Sequence, residues 1–318
     1  MHICGGKMAN KIDEYMHLLM KTKDKHLHKI EKMILADLEE DIKNPLCDES
    51  IINLISDDLH ELTDIAIGFH FEDLSRFILK HYPHAVKKIS YDKETFVHSI
   101  ARGNSKSLCL EIIDNYPEYL TLLDEEGNTM LHICAGYNRT KSCLRAMKRY
   151  PHLARIQNSH GETFLHVAAE AENETICKEA RFLSEEKCLM LTNANGDTFM
   201  HICARNKMYD VCKINIPFIP KVAAAQNKSG DTLFHIIAQT NEVDTLLEAI
   251  ILNPEWAEIK NNAHKTFVDI KKANGDKMIE YACQNRHELF SSFQDRILDD
   301  SDYEGEIIEH DDTNTTTK

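Results

Sequence analysis

The sequence predicts an all-α fold, a solenoid of about seven helix-turn-helix units in which the first and last copies are degenerate. Two ladders of residues predict it. A hexapeptide recurs as Lys93-Glu94-Thr95-Phe96-Val97-His98, Gly127-Asn128-Thr129-Met130-Leu131-His132, Gly161-Glu162-Thr163-Phe164-Leu165-His166, Gly196-Asp197-Thr198-Phe199-Met200-His201 and Gly230-Asp231-Thr232-Leu233-Phe234-His235. It fades out at His264-Lys265-Thr266-Phe267-Val268-Asp269. The threonines are 34, 34, 35, 34 and 34 residues apart. A period of this size marks one small supersecondary unit that buries its apolar face only against its neighbours. The second ladder is Pro83, Pro117, Pro151, Pro220 and Pro254, spaced 34, 34, 69 and 34. The double step covers one missing proline near Glu186, where the chain reads Ser184-Glu185-Glu186.

Residues 1–55 precede the repeats and read as a helical extension or cap. Lys11 through Glu40 is rich in Lys, His, Leu and Met without Gly or Pro, which predicts one or two amphipathic helices. Pro45 interrupts this stretch, and Ile51-Ile52-Asn53-Leu54-Ile55 begins another short helix. Met1-His2-Ile3-Cys4 matches the pattern of Met200-His201-Ile202-Cys203, either by coincidence over four residues or because the chain starts inside a truncated repeat. From Pro45 to Ala66 a proline, an acidic pair and Ile/Leu spacing bear a faint resemblance to an F-box, but the usual Leu-Pro order is missing.

Within each unit the residues explain the motif. Gly at the turn supplies a backbone conformation other residues avoid, and Thr caps the first helix by accepting from its free amides. A second helix follows, and the proline stops it. Units start near Ser56, Ser90, Asp124, Asn158, Asn193, Asn227 and Asn261, giving a repeat domain over residues 56–293, roughly three quarters of the chain. Gly161 through Ala169 is the best copy of a motif that resembles the Gly-x-Thr-Pro-Leu-His-x-Ala-Ala signature of ankyrin repeats. Leu62-Thr63-Asp64-Ile65-Ala66 looks like a degenerate first copy, and Phe267 through Gly275 resembles a terminal one. One departure is systematic: Phe, Met or Leu follows the Thr, where the family has Pro. The resemblance implies that each motif His hydrogen-bonds back to its Thr and across to the next unit. It also implies that Ala168, Ala169, Cys134, Ala135, Cys203 and Ala204 are small so that helices can approach closely.

Residues 294–318 form a third material. Between Asp295 and Lys318 nine acidic residues face only Arg296 and Lys318, a net of −7, so the segment is expected to be a disordered acidic tail. Its composition resembles the flexible, glutamate-rich translocation signals of effectors that intracellular bacteria secrete through type IV systems. The Lys-, Ile- and Asn-rich style of the irregular repeats resembles ankyrin effectors of such bacteria.

A net charge of −15 speaks against nucleic acid and anionic membrane surfaces as partners. No apolar run approaches the ~18 residues needed to span a bilayer, and the N-terminus carries no signal-peptide core. The ten cysteines contain no Cys-x-x-Cys pair, which fits reduced thiols in a cytoplasmic protein. His98, His132, His166, His201 and His235 recur once per unit as core residues and do not form a metal array, while His26 and His28 point in different directions on a helix. There is no phosphate loop and no nucleophile elbow. No enzyme activity, cofactor or metal is therefore expected.

The function this predicts is a non-enzymatic, monomeric scaffold that binds a protein partner on the concave face of the stack. It would act in the cytoplasm, or in a host cytoplasm as a secreted effector. Family positions carried onto this chain place that face at the turn tips and first-helix ends: Tyr91, Asp92, Arg102, Glu125, Glu126, Asn128, Tyr137, His160, Glu162, Glu170, Asn195, Asp197, Arg205, Lys228, Asp231 and Gln239. Its acidic centre suits a basic or mixed-charge partner, with Tyr137 as anchor. Two alternatives stand beside it: a ubiquitin-ligase adaptor whose N-terminal helices recruit the ligase, and an effector enzyme with an unrecognised active site.

Overall fold

The computed structural model describes residues 3–22, 26–43, 58–90, 93–103, 105–182 and 186–285, and every regular element among them is helical. The helix expected at Ile51–Ile55, most of the F-box-like stretch, Tyr91, Asp92, the acidic tail and both predicted domain boundaries lie outside these residues. The chain divides into two units, Met1–Leu233 and Phe234–Lys318.

In the first unit the N-terminal extension is two helices, α1 (Ile3–Lys21) and α2 (Leu27–Lys43), so α1 begins before the Lys11 expected from composition. Each buries one stripe at helical spacing: Ile12, Tyr15 and Leu19 on α1, and Ile30, Ile34 and Leu38 on α2. They pack on the degenerate first copy, α1 against α3 (Asp58–Gly68) and α2 against α4 (Glu72–His81). The N-cap of α4 is Phe71, which offers no side-chain acceptor. Glu31 of α2 takes that role, its Oε1 accepting from Asp73 N at 3.0 Å and Leu74 N at 3.2 Å. A buried carboxylate at a helix N-terminus is stabilised by both the free amides and the helix dipole. The extension is thereby fastened to the repeats as a cap.

Each later copy opens with a seven-residue helix just after its Thr: α6 (Phe96–Arg102), α8 (Met130–Gly136), α10 (Phe164–Glu170) and α13 (Phe199–Arg205). Helices this short are marginal alone, so stacking supplies their stability. The position after Thr explains the systematic departure from the family signature. Phe96, Met130, Phe164, Phe199 and Leu233 are all buried there, so a large apolar side chain occupies the core where Pro would only preset a dihedral angle.

The second helices are α7 (Lys106–Asn115), α9 (Thr140–Arg149), α11 (Glu174–Glu179) and α14 (Tyr209–Asn215). The prolines do more than the predicted stop. The residues before them, Tyr82, Tyr116, Tyr150 and Ile219, have φ of −126°, −133°, −137° and −129°, because proline disfavours the helical region for its predecessor. The proline itself then opens a third helical piece, α5 (Pro83–Lys87), α15 (Pro220–Ala223), or a 3-10 turn at Pro117–Tyr119 and Pro151–Arg155. Proline suits a first helical position because no amide is needed there. In the copy that lacks it, α12 (Glu186–Leu189) starts where the proline was expected.

The second unit begins within α16 (Leu233–Ala238) and continues through α17 (Asp244–Leu252), a 3-10 turn at Pro254–Glu258, α18 (Phe267–Ala273) and α19 (Met278–Gln284). Phe234 stacks on Trp256 at 5.2 Å and lies 5.7 Å from Phe267. Lys271 is buried, its Nζ donating to Thr240 O at 2.9 Å and lying 3.5 Å from Asp276 Oδ2. Among the described residues no helix is long and apolar enough to cross a membrane.

Candidate protein-binding face

The turn tips are built by the residue that opens each copy. Asp124 Oδ1 accepts from Glu126 N (2.9 Å) and Asn128 N (2.7 Å). Asn158, Asn193 and Asn227 repeat the arrangement, an Asx turn that holds the tip in place without β-structure. Successive tips are joined by one backbone bond each: Glu125 N to Lys93 O, Ser159 N to Glu126 O, Ala194 N to His160 O, and Lys228 N to Asn195 O. At Gly196 the next tip is so close that a Cβ would lie 2.8 Å from Lys228 N, and its φ of +76° already excludes most side chains.

Behind the tips the histidines form a second ladder, as the resemblance implies. Thr163 N donates to His166 Nδ1 at 3.1 Å, Thr163 Oγ1 lies 2.8 Å from the same nitrogen, and Nε2 meets Asp197 O of the next copy at 3.0 Å. A carbonyl can only accept, so Nε2 carries the proton and Nδ1 is the acceptor. His98, His132 and His201 reach Asn128 O, Glu162 O and Asp231 O in the same way. Within the second unit His235 reaches Lys265 O. Burial holds His98, His166 and His201 below the usual histidine range and pushes His132 down to about 4, so these rings are neutral at pH 7. Both ring nitrogens are committed, and among the described residues no group of three or more His, Cys, Asp or Glu is placed to hold a metal. Seven described cysteines are free and buried, and burial pushes the thiols of Cys143 and Cys203 up, away from nucleophilic character.

The predicted face residues sort into three kinds. Exposed at the tips or first-helix ends are Arg102, Glu125, Glu126, Tyr137, His160, Glu170, Asn195, Arg205 and Lys228, while Glu162 and Asp231 are half-buried. Gln239 is exposed in the second unit. Asn128 and Asp197 are buried and do not belong on a binding surface. Asn128 donates to Asp124 Oδ2 and accepts from Asn158 Nδ2, and Asp197 accepts from Asn227 Nδ2 and from Arg205 Nη2 at 2.8 Å. Asn128 and Asp197 each bond to the Asn that opens the next copy, and that gives the two structural roles.

Sequence reasoning missed Glu94 and Lys93. Glu94 is buried against Arg102, and Lys93 pairs with Glu125 at 3.1 Å. The signal was available: Glu94 and Arg102 stand eight residues apart, like Asp197 and Arg205. The guanidinium of Arg102 lies 5.7 Å from the ring centroid of Tyr137, itself 47% exposed. Glu126 is on the tip of the same copy as Tyr137, and Glu162 and Glu170 belong to the next copy. Glu126 accepts from Asn128 and Glu162 from Asn158, and none of the three has a cation partner among the described residues.

Comparison with known proteins decides the fold. The ankyrin-repeat domain of Bcl-3, described as a unique member of the IkappaB family, superposes with a TM-score of 0.54 at 16% identity, over 66% of this chain and 92% of that one. The fold is an ankyrin-repeat solenoid. A second ankyrin-repeat protein, EF0377, superposes with a TM-score of 0.50 at 19% identity, covering 59% of this chain and 96% of its own. No family model matches the sequence, and no curated protein does. The likeness is therefore carried by the backbone and the spaced motif residues.

Proposed function

We propose that this chain is a non-enzymatic, monomeric protein-binding scaffold whose partner docks on the turn-tip face around Tyr137. The observation that carries the reading is the half-exposed Tyr137 ring, backed by Arg102 of the preceding copy; Glu126 of the same copy and Glu162 and Glu170 of the next have no cation partner among the described residues. An aromatic anchor on copies that carry unpaired carboxylates suits a basic or mixed-charge protein segment. The reading includes work in a reducing cytoplasm, which the buried free thiols support. Export as a bacterial effector rests on the composition of residues 295–318; deleting them should abolish translocation and leave partner binding intact.

The test is affinity purification of a partner followed by titration of variants. Tyr137→Ala should weaken binding by ~2 kcal/mol or more, and Glu126→Lys or Glu162→Lys should slow association and alter its salt dependence. Lys148→Ala and Arg149→Ala, on a second helix, should change little. A partner indifferent to all three face substitutions would sink the proposal. The adaptor reading draws on exposed apolar side chains of α1 and α2, among them Met20 and Met33. Capture of a ligase scaffold by the full chain, lost in Met20→Ser/Met33→Ser, would favour it.

A further inference from the structure

The second helices carry a different surface, and it changes character along the first unit. In the early copies their arginines bind carboxylates of neighbouring copies. Arg76 Nε meets Glu111 at 2.8 Å, and Arg145 and Arg149 both hold Asp114, at 2.6 and 2.5 Å. Arg181, after α11, breaks this pattern. Its guanidinium carbon lies 4.6 Å from the ring centroid of Phe182 and 5.6 Å from that of Phe218, which follows α14 in the next copy. Both rings are about two-thirds exposed, at 66% and 65%. The Nε of Arg181 is buried without a hydrogen-bond partner, and Arg181 forms no ion pair among the described residues. The feature sits in the copy that has 35 residues and lacks the ladder proline.

Large exposed aromatics seldom cluster on a monomer without use, and two from successive copies flanking one cation make a defined motif. A guanidinium is weakly hydrated and stacks on ring faces while its N–H edge stays directed outward, where a carboxylate matches it in plane. Among the described residues Arg181 thus differs from Arg76, Arg145 and Arg149, which hold carboxylates. A carboxylate suits the guanidinium, and the rings on either side suit an apolar companion to it.

We propose that Phe182, Arg181 and Phe218 form a second docking site, separate from the turn-tip face, for a protein segment that places a carboxylate beside an apolar or aromatic side chain. The carboxylate binds the Arg181 edge and the apolar side chain lies against the phenylalanines. This partner chemistry is the reverse of that suited to the Tyr137 face, so one scaffold holds an acidic-apolar segment at one place and a basic one at another.

The experiment uses the full chain and a fluorescein-labelled peptide with the core Asp-Leu-Phe-Glu between Gly-Ser flanks, read by fluorescence anisotropy. Two control peptides carry Asn-Leu-Phe-Gln and Asp-Ser-Ser-Glu. The acidic-apolar peptide should bind saturably and weaken with salt, and both controls should bind at least tenfold more weakly. Arg181→Gln and the double variant Phe182→Ser/Phe218→Ser should each reduce binding tenfold or more at an unchanged melting temperature, because the rings are exposed. Tyr137→Ala should have no effect, which separates this site from the turn-tip reading. Equal binding of the amide control, or of the double variant, overturns the proposal. Loss of peptide binding in Tyr137→Ala overturns it too, as does self-association of the chain abolished by Phe182→Ser/Phe218→Ser, since the occupant would then be a second copy.

Discussion

In the central copies of the first unit His98, His132, His166 and His201 each cap their own helix and bridge to the next copy, whereas the same column in the first copy holds Asp64, which is exposed. The difference is chemical. A neutral imidazole accepts at one nitrogen and donates at the other, so one side chain serves two copies. A carboxylate only accepts. Asp269, in the same column of the second unit, illustrates the half that remains: it accepts from Thr266 N and Oγ1 at 2.9 and 3.0 Å and completes the local cap. Between α3 and α6 lies a gap of about 220 Å³, lined by Thr63, Asp64, Ile67, Ser90 and Phe96 among others. Ser90 Oγ is buried beside it without a hydrogen-bond partner among the described residues. The first copy is held from its other side by Glu31 of α2.

The largest expected effect follows directly. His166→Ala removes the hydrogen bonds to Thr163 and to Asp197 O from a buried site and leaves Asp197 O with its bond from Asn193 N, which should cost on the order of 3 kcal/mol in urea denaturation. Asp64→Ala should cost less, because an exposed carboxylate cannot donate across to a carbonyl of the next copy. Similar losses at both positions would show that the bridge is not what distinguishes the copies.

Acid should act on the same column. The bridging histidines have folded-state values below their unfolded ones, so the unfolded chain binds more protons in between and stability falls as pH drops from about 6.5. For His132 the window extends down to about 4, and its full contribution is roughly 3 kcal/mol. Replacing His132 with Gln, which keeps a donor and an acceptor, should flatten the melting temperature between pH 7 and 5 relative to wild type. An unchanged slope would remove the histidines as its origin.

A smaller effect compares two glycines. Gly196→Ala meets Lys228 N at 2.8 Å as well as the strain of positive φ, so ~2 kcal/mol is expected. Gly275→Ala has φ +85° but nothing within 4 Å, and ~1 kcal/mol should suffice. Thermal melts of the two variants check the order; if Gly275→Ala proved the costlier, close approach of the tips would not be the reason for Gly196.

Much of the architecture was legible in the residues alone, because a repeat states its rules several times. The Thr column marks helix starts, the Gly column marks turns, and the Pro column marks the ends of second helices, each a local preference independent of distant packing. Local rules also led to partial readings. The prolines were read as stops, but helix starts favour proline too, and only the coordinates show a third helical piece beginning there. Phe164 and Phe199 looked like lost prolines until their burial showed them to be core.

What the sequence determined by itself is the period and the all-helical unit, since these follow from residues repeated in register, while the His–Thr hydrogen bond was what the family resemblance implied. What only the tertiary structure decided is which polar residues are spent on the stack and which remain for a partner. Asn128 and Asp197 carry the same groups as their exposed neighbours, yet both are enclosed by the following copy. Likewise Arg181 reads as one more cation until Phe218, from the next copy, is set beside it. Exposure is a property of a residue and everything packed around it, and no single position encodes it.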